Sequence, residues 1–160
     1  VEAYLLGRLD FQHCLALQQR MVYESTGRCD GRIDLLICEH PTTLTIGRRG
    51  SRSHVPWDAD ELRRRKLEPQ WVNRGGGCLI HLPGQVAVYP IVPLHWHRFT
   101  VGNYLDRLQG GVLATLEELR FHGLKPRGRE GIWGRGGQLV ALGAAVKSWT
   151  TYHGAFINVT

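Results

Sequence analysis

Hydrophobic residues recur along the chain with two distinct periods. From Phe11 to about Glu24, Leu15, Leu17, Met21 and Val22 fall near one face of a helix with polar residues between them, and Asp10 stands where an N-cap belongs. From Asn103 to about Phe121 the same spacing is stronger: Leu105, Leu108, Val112, Leu113, Leu116 and Leu119 predict the best amphipathic helix of the chain. Elsewhere the pattern shortens to strand length. AYLLGRL (3–9), DLLICE (34–39) and TTLTIG (42–47) read as strands, the last two separated by His40-Pro41. A short charged helix around 58–66 precedes PQWVNR, another strand. CLIHL (78–82) and QVAVYPIV (85–92) read as a hairpin around Pro83-Gly84, and after a Gly/Arg-rich link come GIWG (131–134), QLVALGAAV (138–146) and AFINV (155–159).

Strands outnumber helices and cluster without strict alternation. This predicts an α+β domain with a mixed, largely antiparallel sheet and helices packed on one side. A chain of 160 residues with 42% hydrophobic content fits one globular domain, without internal repeats. No apolar run approaches the ~20 residues of a membrane span, and no signal-peptide pattern opens the chain. Four cysteines at irregular spacing (Cys14, Cys29, Cys38, Cys78), with no CxxC, point to reduced thiols in a cytoplasm-like compartment. The chain starts at Val1 without a methionine and stops at Thr160 inside the strand-like run AFINVT, as a fragment lacking its C-terminal part would.

Charge narrows the choice of partner. A net charge of +6 favours acidic partners: nucleic acid, an anionic surface or an acidic carrier protein. The densest run, Arg63-Arg64-Arg65-Lys66, follows Asp58, Asp60 and Glu61. Acids at the start and bases at the end match the helix dipole on a solvated face, and a docking patch is the other reading. Nothing resembles an ordered aromatic-basic platform for nucleic acid.

Candidate chemistry centres on RGGGCLIHLPGQ, Arg74 to Gln85. Three glycines permit positive φ and close backbone approach to a ligand, and a tight turn or bulge explains them equally well. A phosphate loop fits poorly, since no GK[ST] follows and the loop lies between strands. Cys78 and His81 are a nucleophile and a base, but residues three apart in a strand point to opposite faces, so a dyad needs a bulge. His81 shares a face with Leu79 and is free to face a pocket while Cys78 packs. His95 and His97 of HWH could present two imidazoles to a metal, but without an obvious third ligand they read as surface histidines beside Pro93. His153 in TYHG is ambiguous alone.

Taken together, four segments are more specific than any one. EHPTTLTIGRRG (39–50), NRGGGCLIHLPGQVAVYPI (73–91), GIWGRGGQLVALGAAV (131–146) and TYHGAFINV (151–159) occur in an order and at spacings that resemble the lipoyl (octanoyl) transferases. The resemblance runs from about Tyr4 to the end. It implies an α+β fold shared with biotin and lipoate protein ligases, and transfer of an octanoyl group from acyl carrier protein to a lysine of lipoyl domains. Those acceptors belong to 2-oxoacid dehydrogenases or to the glycine cleavage H protein. No cofactor is implied beyond the phosphopantetheine of the acyl donor, and neither nucleic acid nor membrane is a partner.

The resemblance also implies site residues. Arg74, Gly75, Gly76, Gly77, Cys78, Leu79, Ile80 and His81 match one wall of the acyl pocket. Ala141, Leu142 and Gly143 match a second wall, and Gly154, Ala155 and Phe156 a third. An acyl chain needs an apolar tunnel, and its thioester carbonyl needs N–H donors that glycines leave uncovered. The family's cysteine nucleophile lies past Thr160, and none of the cysteines present aligns with it. The family's lysine, which lowers that cysteine's pKa, is replaced here by Gln138, and Lys147 does not match. Leu82 in HLPGQ stands where the family usually has glycine. A degenerate member that binds acyl groups or lipoyl domains, and an ATP-dependent lipoate or biotin ligase relative, are the alternatives.

Overall fold

The computed structural model describes residues 1–28 and 30–159. The succession of strands and helices opens with β1 (Glu2–Arg8), α1 (Phe11–Gly27), β2 (Asp34–Glu39) and β3 (Thr43–Ile46). A 3-10 turn (Arg52–His54), α2 (Ala59–Arg64), β4 (Pro69–Trp71), β5 (Cys78–His81) and β6 (Gln85–Ile91) follow. The chain continues through α3 (Val101–Glu118), β7 (Lys125–Arg127), β8 (Gly131–Gly134), β9 (Gly137–Lys147) and β10 (Thr150–Asn158). They build a seven-stranded sheet, β1-β2-β6-β10-β9-β8-β7, and a three-stranded sheet, β4-β3-β5. Each sheet has one parallel pair, β1 with β2 and β3 with β4; all other pairings are antiparallel. The fold is therefore α+β with a mixed, largely antiparallel sheet.

Local chemistry explains most boundaries. Asp10 caps α1 by accepting from the N–H groups of Gln12 and His13, both at 3.0 Å. The helix carries the chain across from β1 to its parallel neighbour β2, a connection that parallel pairing requires. Asp34 opens β2 fully buried, and Arg28 Nη2 donates to its carboxylate at 2.6 Å. Thr100 and Asp58 cap α3 and α2 in the same way, accepting from Asn103 N and Glu61 N.

Four expectations need correction. Helices do not pack on one side of the large sheet; α1 and α3 stand on opposite faces. Strand alternation forces this: Ala87, Tyr89 and Ile91 of β6 join the core under α1, while the intervening Val88 packs towards α3 with Leu108 and Val112. The segments around Pro83-Gly84 are not a hairpin. β5 pairs with β3 in the small sheet, whereas β6 pairs with β2 and β10 in the large one. The turn, closed by Gln85 N donating to Leu82 O with Gly84 at φ 87, carries the chain from one sheet to the other. Finally, the last strand starts at Thr150 rather than 155, forming a long hairpin with β9 through Ser148 and Trp149, both at positive φ. β7 lies inside what reads as a polar link, because an exposed three-residue edge strand carries no apolar alternation.

The small sheet has its own core with α2, formed by Leu44, Ile46, Leu62 and Leu67. Its other side meets the α1 face of the large sheet, where His81 of β5 lies edge-on to Phe156 of β10 with ring centroids 4.8 Å apart. No helix of the described residues is long and apolar enough to cross a membrane.

Candidate active site

The glycine loop at 74–77 is fastened from both sides. Gly47, Arg48 and Arg49 donate their backbone N–H groups to the carbonyls of Gly77, Arg74 and Gly76 at 3.0–3.1 Å, and Gly75 N–H donates to Ala144 O of β9 at 3.0 Å. Glycine is needed across these seams. A Cβ on Gly47 would lie 2.6 Å from Gly76 O, and one on Gly143 would lie 2.6 Å from Gly75 O. The loop thus bridges the small sheet and β9 while its own glycines leave the backbone uncovered. The N–H groups of Gly76 and Gly77 find no acceptor among the described residues.

Arg74 holds this bridge from beneath. Its side chain is buried; Nη1 donates to Gly75 O, and Nη2 to Thr45 O and Oγ1 at 3.2 and 2.8 Å. Burial pulls the guanidinium down to about 10, so it keeps its charge at neutral pH. The hydrogen bonds continue inward and assign the histidine tautomer. Thr45 Oγ1, accepting from Arg74, lies 3.0 Å from His81 Nε2, and His81 Nδ1 lies 3.0 Å from the Gln85 carboxamide oxygen. An acceptor at Gln85 requires the proton on Nδ1, leaving Nε2 to accept from Thr45. Burial, with His40 beside it, presses His81 to about 3, so the ring is neutral throughout the physiological range.

Two cavities flank the loop. The smaller, about 220 Å³, is lined by Arg74, Gly76, Gly77, Cys78, Leu79, Gln138, Ala141, Leu142 and Phe156, with Glu130 at its edge. The larger, about 640 Å³, has Leu142 to Val146 as its floor, Gly75 and Gly76 as one wall, and Arg48, Arg49, Arg127 and Arg129 around it. Three separate segments of the chain therefore meet at one place: the glycine loop, β9 around Ala141–Gly143, and Phe156 of β10.

Not every expected residue reaches a cavity. Ile80 faces the small sheet's core with α2, and Ala155 packs on the α3 face, each one residue out of phase with a lining neighbour. His81 is sealed between Phe11, His40 and Phe156. Gly154 lies under β6, where a Cβ would meet Val88 O at 2.2 Å, so its role is strand spacing. Cys78 and His81 face opposite sides of β5: the thiol points to Ser51 O at 3.4 Å. His95 is exposed in a turn, and His97 donates through Nε2 to Gly31 O at 2.8 Å, so the pair does not converge on a metal.

Sequence reasoning passed over the arginines of the larger cleft. GRRG (47–50) and RGRE (127–130) hold the signal, two short basic runs beside glycines, but nothing local says that they converge. Arg49 pairs with Glu130 at 2.5 Å across the mouth, joining the 47–50 turn to the segment before β8. Thr45 and Gln85 were also missed, since a lone polar residue in a strand ordinarily reads as solvent-facing.

Comparison with known proteins places this geometry in a class. Residues 10–160 match the family described as the lipoyl protein ligase A/B catalytic domain. The chain belongs to that family. Among curated relatives it is 33% identical over 156 residues to an octanoyltransferase of Syntrophobacter fumaroxidans, spanning 97% of this chain and 68% of that protein. It is 35% identical to the octanoyltransferase of Geobacter metallireducens, over 97% of this chain and 69% of the relative. Two solved structures share the fold. A putative lipoate protein ligase, Ta0514, from T. acidophilum matches with a TM-score of 0.75 at 13% identity, over 99% of this chain and 69% of its own. Lipoate-protein ligase A bound with ATP matches with a TM-score of 0.71 at 12% identity, over 99% and 67%.

Proposed function

We propose that the protein is an octanoyltransferase, moving an octanoyl group from acyl carrier protein to a lysine of lipoyl domains. The observation that carries this reading is the likeness to octanoyltransferases along nearly the whole chain, at 33–35% identity. The site is suited to the chemistry. Leu79, Ala141 and Phe156 offer apolar side chains to an acyl chain, with Leu142 turned to the α3 side and lining the cavity from its backbone, and the uncovered N–H groups of Gly76 and Gly77 are donors for a thioester carbonyl whose oxygen gains charge. Arg48, Arg49, Arg127 and Arg129 give the neighbouring cleft a basic rim that suits an acidic carrier protein.

In this reading a cysteine thiolate encoded after residue 160 attacks the thioester carbonyl, and the phosphopantetheine thiolate leaves. The acceptor lysine amine then attacks the acyl-cysteine, forming the amide, losing a proton and releasing the cysteine. Gln138 occupies the cavity wall where the resemblance expects the activating lysine. An amide donates hydrogen bonds but carries no charge to stabilise a thiolate. That single position favours a second reading, a member that binds acyl groups or lipoyl domains without transfer.

Full-length protein incubated with octanoyl acyl carrier protein separates the two. The expected result is a mass increase of one octanoyl group, removed by hydroxylamine; no adduct under conditions that load an active relative supports binding alone. Gln138→Lys is expected to raise the acylation rate at neutral pH about tenfold, the gain in thiolate for each unit by which the cysteine pKa falls. An unchanged rate would remove Gln138 from the site.

A further inference from the structure

A second cluster of reactive side chains lies away from the cavities, between α1 and the sheet. Cys14 of α1, Cys38 of β2 and His40 just after β2 are all buried, and their ligand-type atoms lie within 4.8 Å of one another. Cys14 Sγ and Cys38 Sγ are 3.8 Å apart, and Cys38 Sγ is 3.6 Å from His40 Nε2. Zinc bonds of about 2.3 Å to sulfur and 2.1 Å to nitrogen, at tetrahedral angles, hold two sulfurs about 3.8 Å apart and sulfur and nitrogen about 3.6 Å apart. Both measured edges fit that tetrahedron.

The histidine is already oriented as a ligand. His40 Nδ1 lies 2.7 Å from Leu9 O, a carbonyl that can only accept, so the proton sits on Nδ1 and Nε2 offers its lone pair towards the sulfurs. In the metal-free chain the Tyr89 hydroxyl donates to that lone pair at 2.7 Å; a tetrahedral oxygen–nitrogen edge is about 3.4 Å, so the hydroxyl swings back by about 0.7 Å as the metal takes its place on Nε2.

We propose that Cys14, Cys38 and His40 form a structural zinc site, with the Tyr89 hydroxyl at the fourth position. Charge selects the ion. Two thiolates with a divalent cation sum to zero, whereas a monovalent soft ion leaves a net negative charge in an apolar core. Binding displaces the two thiol protons to solvent, with no change in oxidation state. The ion would tie α1 to β2 and to the turn that leads into the small sheet, behind the Tyr89 and Phe156 rings that back the acyl cavity.

The test is the reduced full chain, produced in medium supplemented with zinc or with cobalt. The expected zinc form carries about one metal per chain. The expected cobalt form shows a sulfur-to-cobalt charge-transfer band and the visible bands of tetrahedral coordination. Cys14→Ser and Cys38→Ser should each abolish the charge-transfer band or weaken it severalfold, while Cys78→Ser, on the small sheet, keeps it. The wild-type cobalt spectrum decides even where a serine variant fails to fold. Natively folded wild-type protein without metal and without that band overturns the proposal. So does a chain isolated with a Cys14–Cys38 disulfide, lighter by two hydrogens, in place of the metal.

Discussion

Gly154→Ala should lower the midpoint of thermal unfolding by roughly 10 °C or more, the consequence of about 4 kcal/mol or more of lost stability in a domain of this size. The added Cβ would stand 2.2 Å from Val88 O and 2.8 Å from Pro90 Cδ. Both neighbours belong to β6, which is held in register by β2 on one side and β10 on the other. Neither can retreat without opening a ladder at the centre of the sheet. Gly77→Ala is the matching control, since its Cβ meets nothing within 4 Å, and its stability should stay within about 0.5 kcal/mol of the parent. Differential scanning calorimetry of the two variants checks the contrast. A Gly154→Ala midpoint within a few degrees of the parent would contradict the close approach of β10 to β6.

Acid should unfold the protein through its buried histidines, and His153 offers the cleanest measurement. Its ring is fully buried, packed against Phe11, Tyr89 and Tyr152, and neither nitrogen has a hydrogen-bond partner among the described residues. Its backbone is at φ 55, which turns its N–H out of the ladder to be accepted by Gln18 Oε1 at 2.8 Å. Burial, reinforced by the positive charges of Arg74 and Arg48, presses the ring to about 3. In the unfolded chain an ordinary histidine takes its proton near pH 6.5. Between those values the unfolded state binds one more proton than the folded state, so this contribution is complete above about pH 6.5 and is lost as pH falls. The slope is about 1.4 kcal/mol per pH unit, or about 3 kcal/mol between pH 6.5 and 4.5. His153→Phe removes the titration while keeping an aromatic ring in the stack. The difference in unfolding free energy between parent and variant, followed by urea titration at several pH values, should therefore shift by about 3 kcal/mol over that interval. A difference independent of pH would show that His153 is not held neutral. His81, pressed equally far down, adds a parallel dependence common to both proteins.

How much of this was legible depends on the range of each interaction. α1, β2 and β8 were readable because their signals are local: the Asp10 cap, the short apolar run in DLLICE, and the glycines that bound GIWG. Membership of a sheet was not. Pro83-Gly84 announces a turn equally well for a hairpin or for a change of sheet, and the choice is made by β3, more than thirty residues upstream, which captures β5. The glycine triplet was ambiguous for a similar reason. Its meaning comes from Gly47–Arg49 and Ala144, which take up its backbone groups from distant segments. The four-motif resemblance reached further because it joins such distant segments, setting Ala141, Leu142 and Phe156 around the same cavity as Gly76. It could not distinguish neighbours within a strand, which is why Ile80 and Ala155 fall on faces turned away from the cavity, each packed in another core.

The position of β10 has a consequence for how the molecule is made. It is the fourth strand of seven in the large sheet, yet every other strand of that sheet precedes it in the chain. During translation, β1, β2 and β6 can pair with one another, as can β7, β8 and β9, but no backbone ladder joins the two groups until residues 150–158 leave the ribosome. The nascent chain therefore carries an open strand edge on β6 from Ile91 until β10 begins at Thr150, joined only at the end by the edge of β9, the condition in which a growing chain benefits from a chaperone. Insertion of one nine-residue segment then closes both edges together.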